Sequence, residues 1–181
     1  PTVNISESQT SISENVRISA VGTNIYVIWG DDTGGIFGNG DVFFSRSTNS
    51  GTSFDAPVNL GSNFGNSAFP QIISSGVNVF AVWQDQTTGS GDIYFRKSVN
   101  EGALFDDLIN LSNNIASSTG PQITVSGTSV HITWKDDTPA SSSGDILFKT
   151  SNDTGVNFGS EINLSGNSGI SDTPQISSSG S

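Results

Sequence analysis

The chain contains no cysteine, which rules out a disulfide framework and a thiolate metal site. It has a single histidine, His131, so no typical zinc centre can be anchored by imidazoles either. Basic residues are scarce: six Lys and Arg stand against 17 Asp and Glu, a formal net charge of −11. Binding to a phosphate backbone depends on cations that neutralise it, so no nucleic-acid partner is expected. The same charge favours metal cations, basic partners and cationic surfaces. No apolar run approaches the roughly 18 residues that a membrane helix needs, and no signal peptide can be read. A chain that begins at Pro1 is expected to be a processed form or an excerpt. Ser, Thr, Asn and Gly dominate instead, a balance that suits an exported, extracellular or cell-surface β protein.

What is present is repetition. Val3-Asn4-Ile5-Ser6, Val58-Asn59-Leu60-Gly61, Ile109-Asn110-Leu111-Ser112 and Ile162-Asn163-Leu164-Ser165 recur at intervals of 51 to 55 residues. Phe69-Pro70-Gln71-Ile72, Gly120-Pro121-Gln122-Ile123 and Thr173-Pro174-Gln175-Ile176 share that period, with Asn15-Val16-Arg17-Ile18 as a degenerate first copy. So do Trp29, Trp83 and Trp134, and the Gly-Asp pairs ending in Asp41, Asp92 and Asp145. Each period holds four short β patterns separated by Gly, Asn, Asp and Ser turns, and no helical period is visible. In the second copy the first strand starts at Gln71, the second runs from Asn78 to Trp83, and the third starts at Asp92.

The second strand decides the architecture. Val79, Ala81 and Trp83 point one way and Phe80 and Val82 the other, because side chains alternate along a strand. A strand apolar on both faces needs cover on both faces. Radially stacked four-stranded sheets supply it, and four strands in about 50 residues is the period of a propeller blade. A two-sheet sandwich is the alternative. The expected fold is an all-β propeller segment of four-stranded antiparallel blades, three complete and part of a fourth. Blade 1 is expected at about 14–61, blade 2 at about 68–112 and blade 3 at about 119–165. Residues 1–6 would be the fourth strand of a preceding blade, and 172–181 the start of the next one.

A further signature lies between the third and fourth strands. It reads Ser47-Thr48-Asn49-Ser50-Gly51-Thr52-Ser53-Phe54, Ser98-Val99-Asn100-Glu101-Gly102-Ala103-Leu104-Phe105 and Ser151-Asn152-Asp153-Thr154-Gly155-Val156-Asn157-Phe158. These segments resemble the Asp-box, the BNR repeat of the sialidase superfamily, with Asn for Asp twice and Phe for Trp throughout. Asn or Asp can fold back onto nearby amides, Gly can take a left-handed conformation, and the ring is expected to plug the blade edge. The resemblance implies a sialidase-like propeller and nothing about catalysis, since Asp-boxes are structural. Sialidases clamp a carboxylate with three arginines and attack with a Glu-activated Tyr. Here the arginines are Arg17, Arg46 and Arg96, two of them on third strands, and the Arg-Ile-Pro motif is absent. Tyr26 and Tyr94 occupy positions filled elsewhere by Phe80 and His131, or by Phe43 and Leu147, and so read as blade packing. No catalytic residue is assigned.

The links between second and third strands vary in length and hold eight of the 17 acidic residues. Variable loops on a repetitive scaffold are where function tends to sit. Two readings of their Asp residues stand side by side. Each Asp can cap a turn by accepting from free amides. Alternatively, Asp31 with Asp41, Asp85 with Asp92 and Asp136 with Asp145 can hold calcium in a shell of oxygens. Asn4, Asn110, Asn152 and Asn163 each begin an N-glycosylation sequon, three of them at one repeat position. The functional expectation is a non-catalytic extracellular or cell-surface module that binds a glycan or protein ligand on the loop face. The alternatives are a fragment of a sialidase-like glycoside hydrolase with its catalytic residues elsewhere, and a calcium-stabilised surface repeat. Either a longer parent chain or a homo-oligomer would complete the ring.

Overall fold

The computed structural model describes residues 2–8, 11–32, 40–61, 65–137 and 144–179. Among them there is no helix, and the strands form three antiparallel four-stranded sheets. The first holds β1 (Ser13–Val21), β2 (Asn24–Asp31), β3 (Asp41–Ser47) and β4 (Val58–Asn59). The second holds β5 (Ser67–Ser75), β6 (Asn78–Asp85), β7 (Asp92–Ser98) and β8 (Ile109–Asn110). The third holds β9 (Ser118–Ser126), β10 (Ser129–Asp136), β11 (Asp145–Ser151) and β12 (Ile162–Asn163). Within every sheet each strand pairs only with its neighbours in sequence.

The apolar alternation of β6 is met by cover on both sides. Its Val79, Ala81 and Trp83 pack with Ile72 against Tyr26, Ile28, Val42, Phe44 and Leu60 of the first sheet. Its Phe80 and Val82 join Ile93, Phe95 and Leu111 against Val130, Ile132 and Trp134 of the third. A middle sheet buried on both faces by its two neighbours is a propeller blade, and the chain is a segment of such a propeller. Sandwich packing would leave one face of each sheet in water.

The first strands begin earlier than the Pro-Gln-Ile pattern indicates, because each contains a bulge. The β1/β2 and β5/β6 registers shift between Glu14 and Arg17 and between Ala68 and Gln71, and β10/β9 shifts at the matching place. Asn15, Phe69 and Gly120 hold φ of 54°, 52° and 60° there. A bulge takes one residue out of the ladder, which lets Pro70 and Pro121 sit in a strand without an amide hydrogen to donate.

The turns after β3, β7 and β11 share one hydrogen-bond pattern. The hydroxyls of Ser47, Ser98 and Ser151 donate to the side chains of Asn49, Asn100 and Asp153 at 2.9, 2.7 and 2.7 Å. The same hydroxyls accept from the amides of Gly51, Gly102 and Gly155 at 2.9 Å each. The aromatic ring does more than plug its own blade edge. Phe105 meets Phe44 of the preceding blade edge-on at 4.9 Å, and Phe158 meets Phe95 in the same way at 5.1 Å. A Cβ on Gly102 would lie 2.7 Å from the Phe44 ring, so glycine is required by contact as well as by its φ of 75°. Arg46 donates to the Glu101 carbonyl at 2.9 Å and Lys97 to the Thr154 carbonyl at 3.3 Å, latching each blade to the next turn.

Residues 2–8 and 171–179, expected as the fourth strand of a preceding blade and the start of a following one, form no ladder among the described residues. A strand exists by pairing, and neither segment has a ladder partner among the described residues.

Candidate functional site

Antiparallel pairing sets the end of each second strand beside the start of its third strand, with the loop between them, at one end of each blade. Residues 33–39 and 138–143 of those loops lie outside the described residues; their bounding Asp residues do not. The structure sets each expected Asp pair directly across a ladder: Asp31 opposite Asp41, Asp85 opposite Asp92 and Asp136 opposite Asp145. The carboxylates of a pair nevertheless serve opposite edges of their blade.

On one side, Asp31, Asp85 and Asp136 accept from the hydroxyls of Ser13, Ser67 and Ser118, each at 2.6 Å. This ties the end of the second strand to the start of the first. Asp85 also accepts from the Thr87 amide at 2.8 Å, the turn-capping bond the sequence suggested. On the other side, Asp41, Asp92 and Asp145 accept from the amides of Asn59, Asn110 and Asn163 at 2.8, 2.9 and 2.9 Å. Ser112 and Ser165 add their hydroxyls to Asp92 and Asp145 at 2.8 and 3.0 Å. The first blade has Gly61 at that position. All four strands are therefore stitched together at this face through two carboxylates. Among the described residues, no three His, Cys, Asp or Glu side chains gather as a metal-holding group.

Sequence reasoning missed the partners, although the signal was present. Asn110-Leu111-Ser112 and Asn163-Leu164-Ser165 look like glycosylation sequons, yet both polar side chains of each hold an Asp. Their shared period with the Gly-Asp pairs was the clue. Of the pairs, Asp41 has its carboxyl pushed above the usual range by burial, with the Asp85 charge adding to this and the Asn59 bond opposing it.

Of the groups that sialidase-like chemistry would use, Arg46 and Arg17 have hydrogen-bond partners, whereas the buried Arg96 Nε and Tyr26 hydroxyl have none among the described residues. Arg46 pairs with Asp55 at 2.7 Å in addition to its bond to the next blade. Arg17 donates to the neighbouring Val16 carbonyl. Tyr26 is fully buried, and burial holds its phenol above the ordinary value. His131 stacks on Phe148 at 5.9 Å with its Nδ1 2.9 Å from the Thr150 hydroxyl.

Among the described residues, a cleft of about 280 Å³ lies on the loop face between the starts of blades 1 and 2. Glu14, Asn15, Asp31, Asp32, Asn66 and Ser67 supply its polar wall. Glu14 is exposed and breaks the repeat, because the matching positions on β5 and β9 are Ala68 and Thr119. A cleft lined by carboxylates and amides, with no basic group, can bind hydroxyls or cations and repels anions.

No protein-family model matches the sequence, nor does any curated protein. Solved structures do match in fold. A family 117 glycoside hydrolase of the marine bacterium Zobellia galactanivorans is similar with a TM-score of 0.54 and 10% identity, over 80% of this chain and 54% of its own. The catalytic domain of the Coprinopsis cinerea GH62 α-L-arabinofuranosidase gives 0.55 at 10% identity, over 87% and 52%. The Trypanosoma rangeli sialidase gives 0.54 at 13% identity, over 87% and 29%. The chain thus spans about half or less of each of these proteins. At such identities the likeness establishes the fold they share: an all-β propeller segment.

Proposed function

We propose that this chain is part of a non-catalytic, extracellular or cell-surface propeller that binds a glycan or protein ligand on its loop face. The observation that carries this reading is that several side chains with reactive chemistry serve the structure. The paired Asp residues hold Ser and Asn, Arg46 latches two blades, and Tyr26 is buried in a blade interface. The cleft at Glu14 lies on the loop face, and Glu14 itself is exposed there and outside the repeated bonds. Its acidic wall favours neutral or amine-bearing sugars over sialic or uronic acids. The turns with Ser47, Ser98 and Ser151 support kinship with the Asp-box repeat, since the Ser and Asn/Asp side chains and the Gly amide close one ring of bonds in all three. Titration with a panel of neutral, amino and acidic oligosaccharides tests the reading. Saturable binding that Glu14→Gln and Asp32→Asn weaken supports it, and binding confined to acidic sugars, or none, defeats it.

A fragment of a glycoside hydrolase is the second reading. It draws on the glycoside-cleaving proteins that share the fold and on Glu14 as a carboxylate outside the repeat. Hydrolysis of aryl glycosides that Glu14→Gln abolishes would favour it over the first. Calcium between the Asp pairs is the third. The serine and asparagine side-chain bonds to all six carboxylates, with the Thr87 amide on Asp85, support a structural role instead, and a melting temperature lowered by EDTA and restored by calcium would reverse that preference.

A further inference from the structure

The cleft at Glu14 lacks a side chain that the other two blades supply. Gly30 of β2, Gln84 of β6 and Lys135 of β10 are equivalent, each directly after the repeated Trp. Opposite them across the ladder stand Glu14, Ala68 and Thr119. After the clamping Asp come Asp32, Gln86 and Asp137, whose amides donate to the carbonyls of Ile12, Asn66 and Ser117 at 3.2, 3.0 and 2.9 Å. One backbone frame thus carries three different sets of side chains.

In blade 3 the frame holds an ammonium group of its own. The Lys135 side chain runs across Gly144, so closely that a Cβ there would lie 2.5 Å from its Cε. Its Nζ pairs with Asp137 Oδ1 at 3.1 Å. In blade 2 the Gln84 side chain lies across Gly91 in the same way, with its Nε2 3.2 Å from the position of such a Cβ. Blade 1 has Gly30 and therefore nothing to lay across Gly40. The cleft of about 280 Å³ stands at that place, and Gly30, Gly40 and Asp32 all line it. Loss of the lysine is not matched by loss of acid. Asp32 is kept, and Glu14 adds a second carboxylate on the face that Gly30 shares, because residues opposite each other across a ladder point the same way. The three ion pairs among the described residues leave both carboxylates out.

We propose that the cleft binds a primary ammonium group at the end of an alkyl chain, the lysine side chain of a protein partner, in the place that Lys135 takes within blade 3. The inference rests on the reading of the loop face as a ligand surface and narrows it. The ammonium donates to Asp32 and Glu14, and the methylenes lie along Gly30, Gly40 and the exposed Ile12. Size points the same way. The cleft falls just under the roughly 300–1,000 Å³ of pockets for whole small molecules, and takes one side chain better than a run of sugar rings. Calcium suits it less, since that ion takes about six to eight oxygens and no three acidic side chains gather among the described residues. The formal charge of −11 draws a basic partner in.

The probe is a blocked tripeptide with a central lysine, titrated onto the protein and followed through backbone amide signals. Saturable shifts at 12–14, 30–32 and 66–68 are expected, at about millimolar affinity for a single side chain. Acetylating the probe's ammonium removes its charge and should weaken binding by about tenfold or more. Gly30→Lys and Gly30→Gln install the residues of blades 3 and 2 and should each abolish binding, because they fill the cleft from within. A Cβ on Gly30 would lie 3.8 Å from the Glu14 carbonyl, an ordinary contact, and its φ is not left-handed, so both variants should melt no lower than the parent. Glu14→Gln, at an exposed position, should weaken binding severalfold with an unchanged melt. Binding that ignores acetylation, persists in Gly30→Lys or is absent overturns the inference. Glucosamine oligomers that bind where the lysine probe does not overturn it in favour of an amino sugar. Neutral oligosaccharides that bind the loop face while the lysine probe fails overturn it too, and leave the broader ligand-surface reading standing.

Discussion

The interface between blades 1 and 2 and the outer face of blade 3 are built from the same repeat positions. In the first, Tyr26, Ile28, Val42, Phe44 and Leu60 are sealed by Val79, Ala81 and Trp83. In the second, Thr133, Ile146, Phe148 and Leu164 line a hollow with the stretch at 174–176. The contrast separates what a repeat position is from what it does. Its side chain is written in the blade; its burial, and so nearly all its stabilising effect, is supplied by the neighbour. Blade 3 is also the more polar copy. His131 stands where Tyr26 and Phe80 do, and it satisfies its ring nitrogen within the blade through Thr150. Thr133 does the same by donating to the Leu147 carbonyl at 2.8 Å. The inter-blade latch is absent there too, with Thr150 at the position of Arg46 and Lys97.

The largest expected effect tests this contrast directly. Leu60→Ala should lower unfolding free energy by about 2–5 kcal/mol, because it empties a sealed interface. Leu164→Ala, the same change at the same repeat position, should stay within about 0.5 kcal/mol. Urea unfolding of both variants checks the pair, and equal losses would break the comparison.

The next effect moves from side chain to backbone. Gly102 and Gly127 both hold positive φ, 75° and 58°, but only Gly102 faces a ring of the neighbouring blade. Alanine at either position meets left-handed strain of about 1–2 kcal/mol. At Gly102 the clash with Phe44 adds about 1–3 kcal/mol more, again read by urea unfolding. A smaller contrast lies in the Asp clamps. Asp92→Ala leaves Asn110 and Ser112 without their buried acceptor and should cost about 1–3 kcal/mol. Asp41→Ala should cost less, since Gly61 replaces the serine and burial already disfavours the Asp41 carboxylate.

The smallest effect concerns acid. Amide bonds from Asn157, with help from Ser151 and Val156, hold the Asp153 carboxyl well below the usual range. A lowered folded pKa stabilises above the unfolded value of about 3.9, and that contribution fades as pH falls through the folded one. Asp153→Asn, which restores the residue found at Asn49 and Asn100, should leave the melting temperature near neutral pH little changed. It should flatten the decline below about pH 4. An unchanged acid decline would show that the three turns do not differ in this respect.

Much of the fold was legible because it rests on local alternation. The β6 pattern required cover on both faces, and the Gly, Asn and Asp turns marked the hairpins. The bulges were not legible, since Pro70 and Pro121 read as strand boundaries when in fact the strand passes through them with one residue unpaired. Of the candidate site, the Asp residues were found but their purpose was not. Whether a carboxylate faces a metal, an amide or a hydroxyl depends on a residue some 18 to 20 positions away, and the ladder sets that partner.

By itself, then, the sequence determined the period, the strand-forming alternation, the glycines of the turns and the acidic character of the loop face. These follow from side-chain chemistry acting over a few neighbouring residues. Tertiary structure alone decided which carboxylate holds which asparagine, which phenylalanine ring reaches the previous blade, where the open cleft lies and which leucine is left in water. Those outcomes depend on distances between segments far apart in sequence, 18 residues for the carboxylate–asparagine bonds within a blade and about one repeat or more for the contacts between blades.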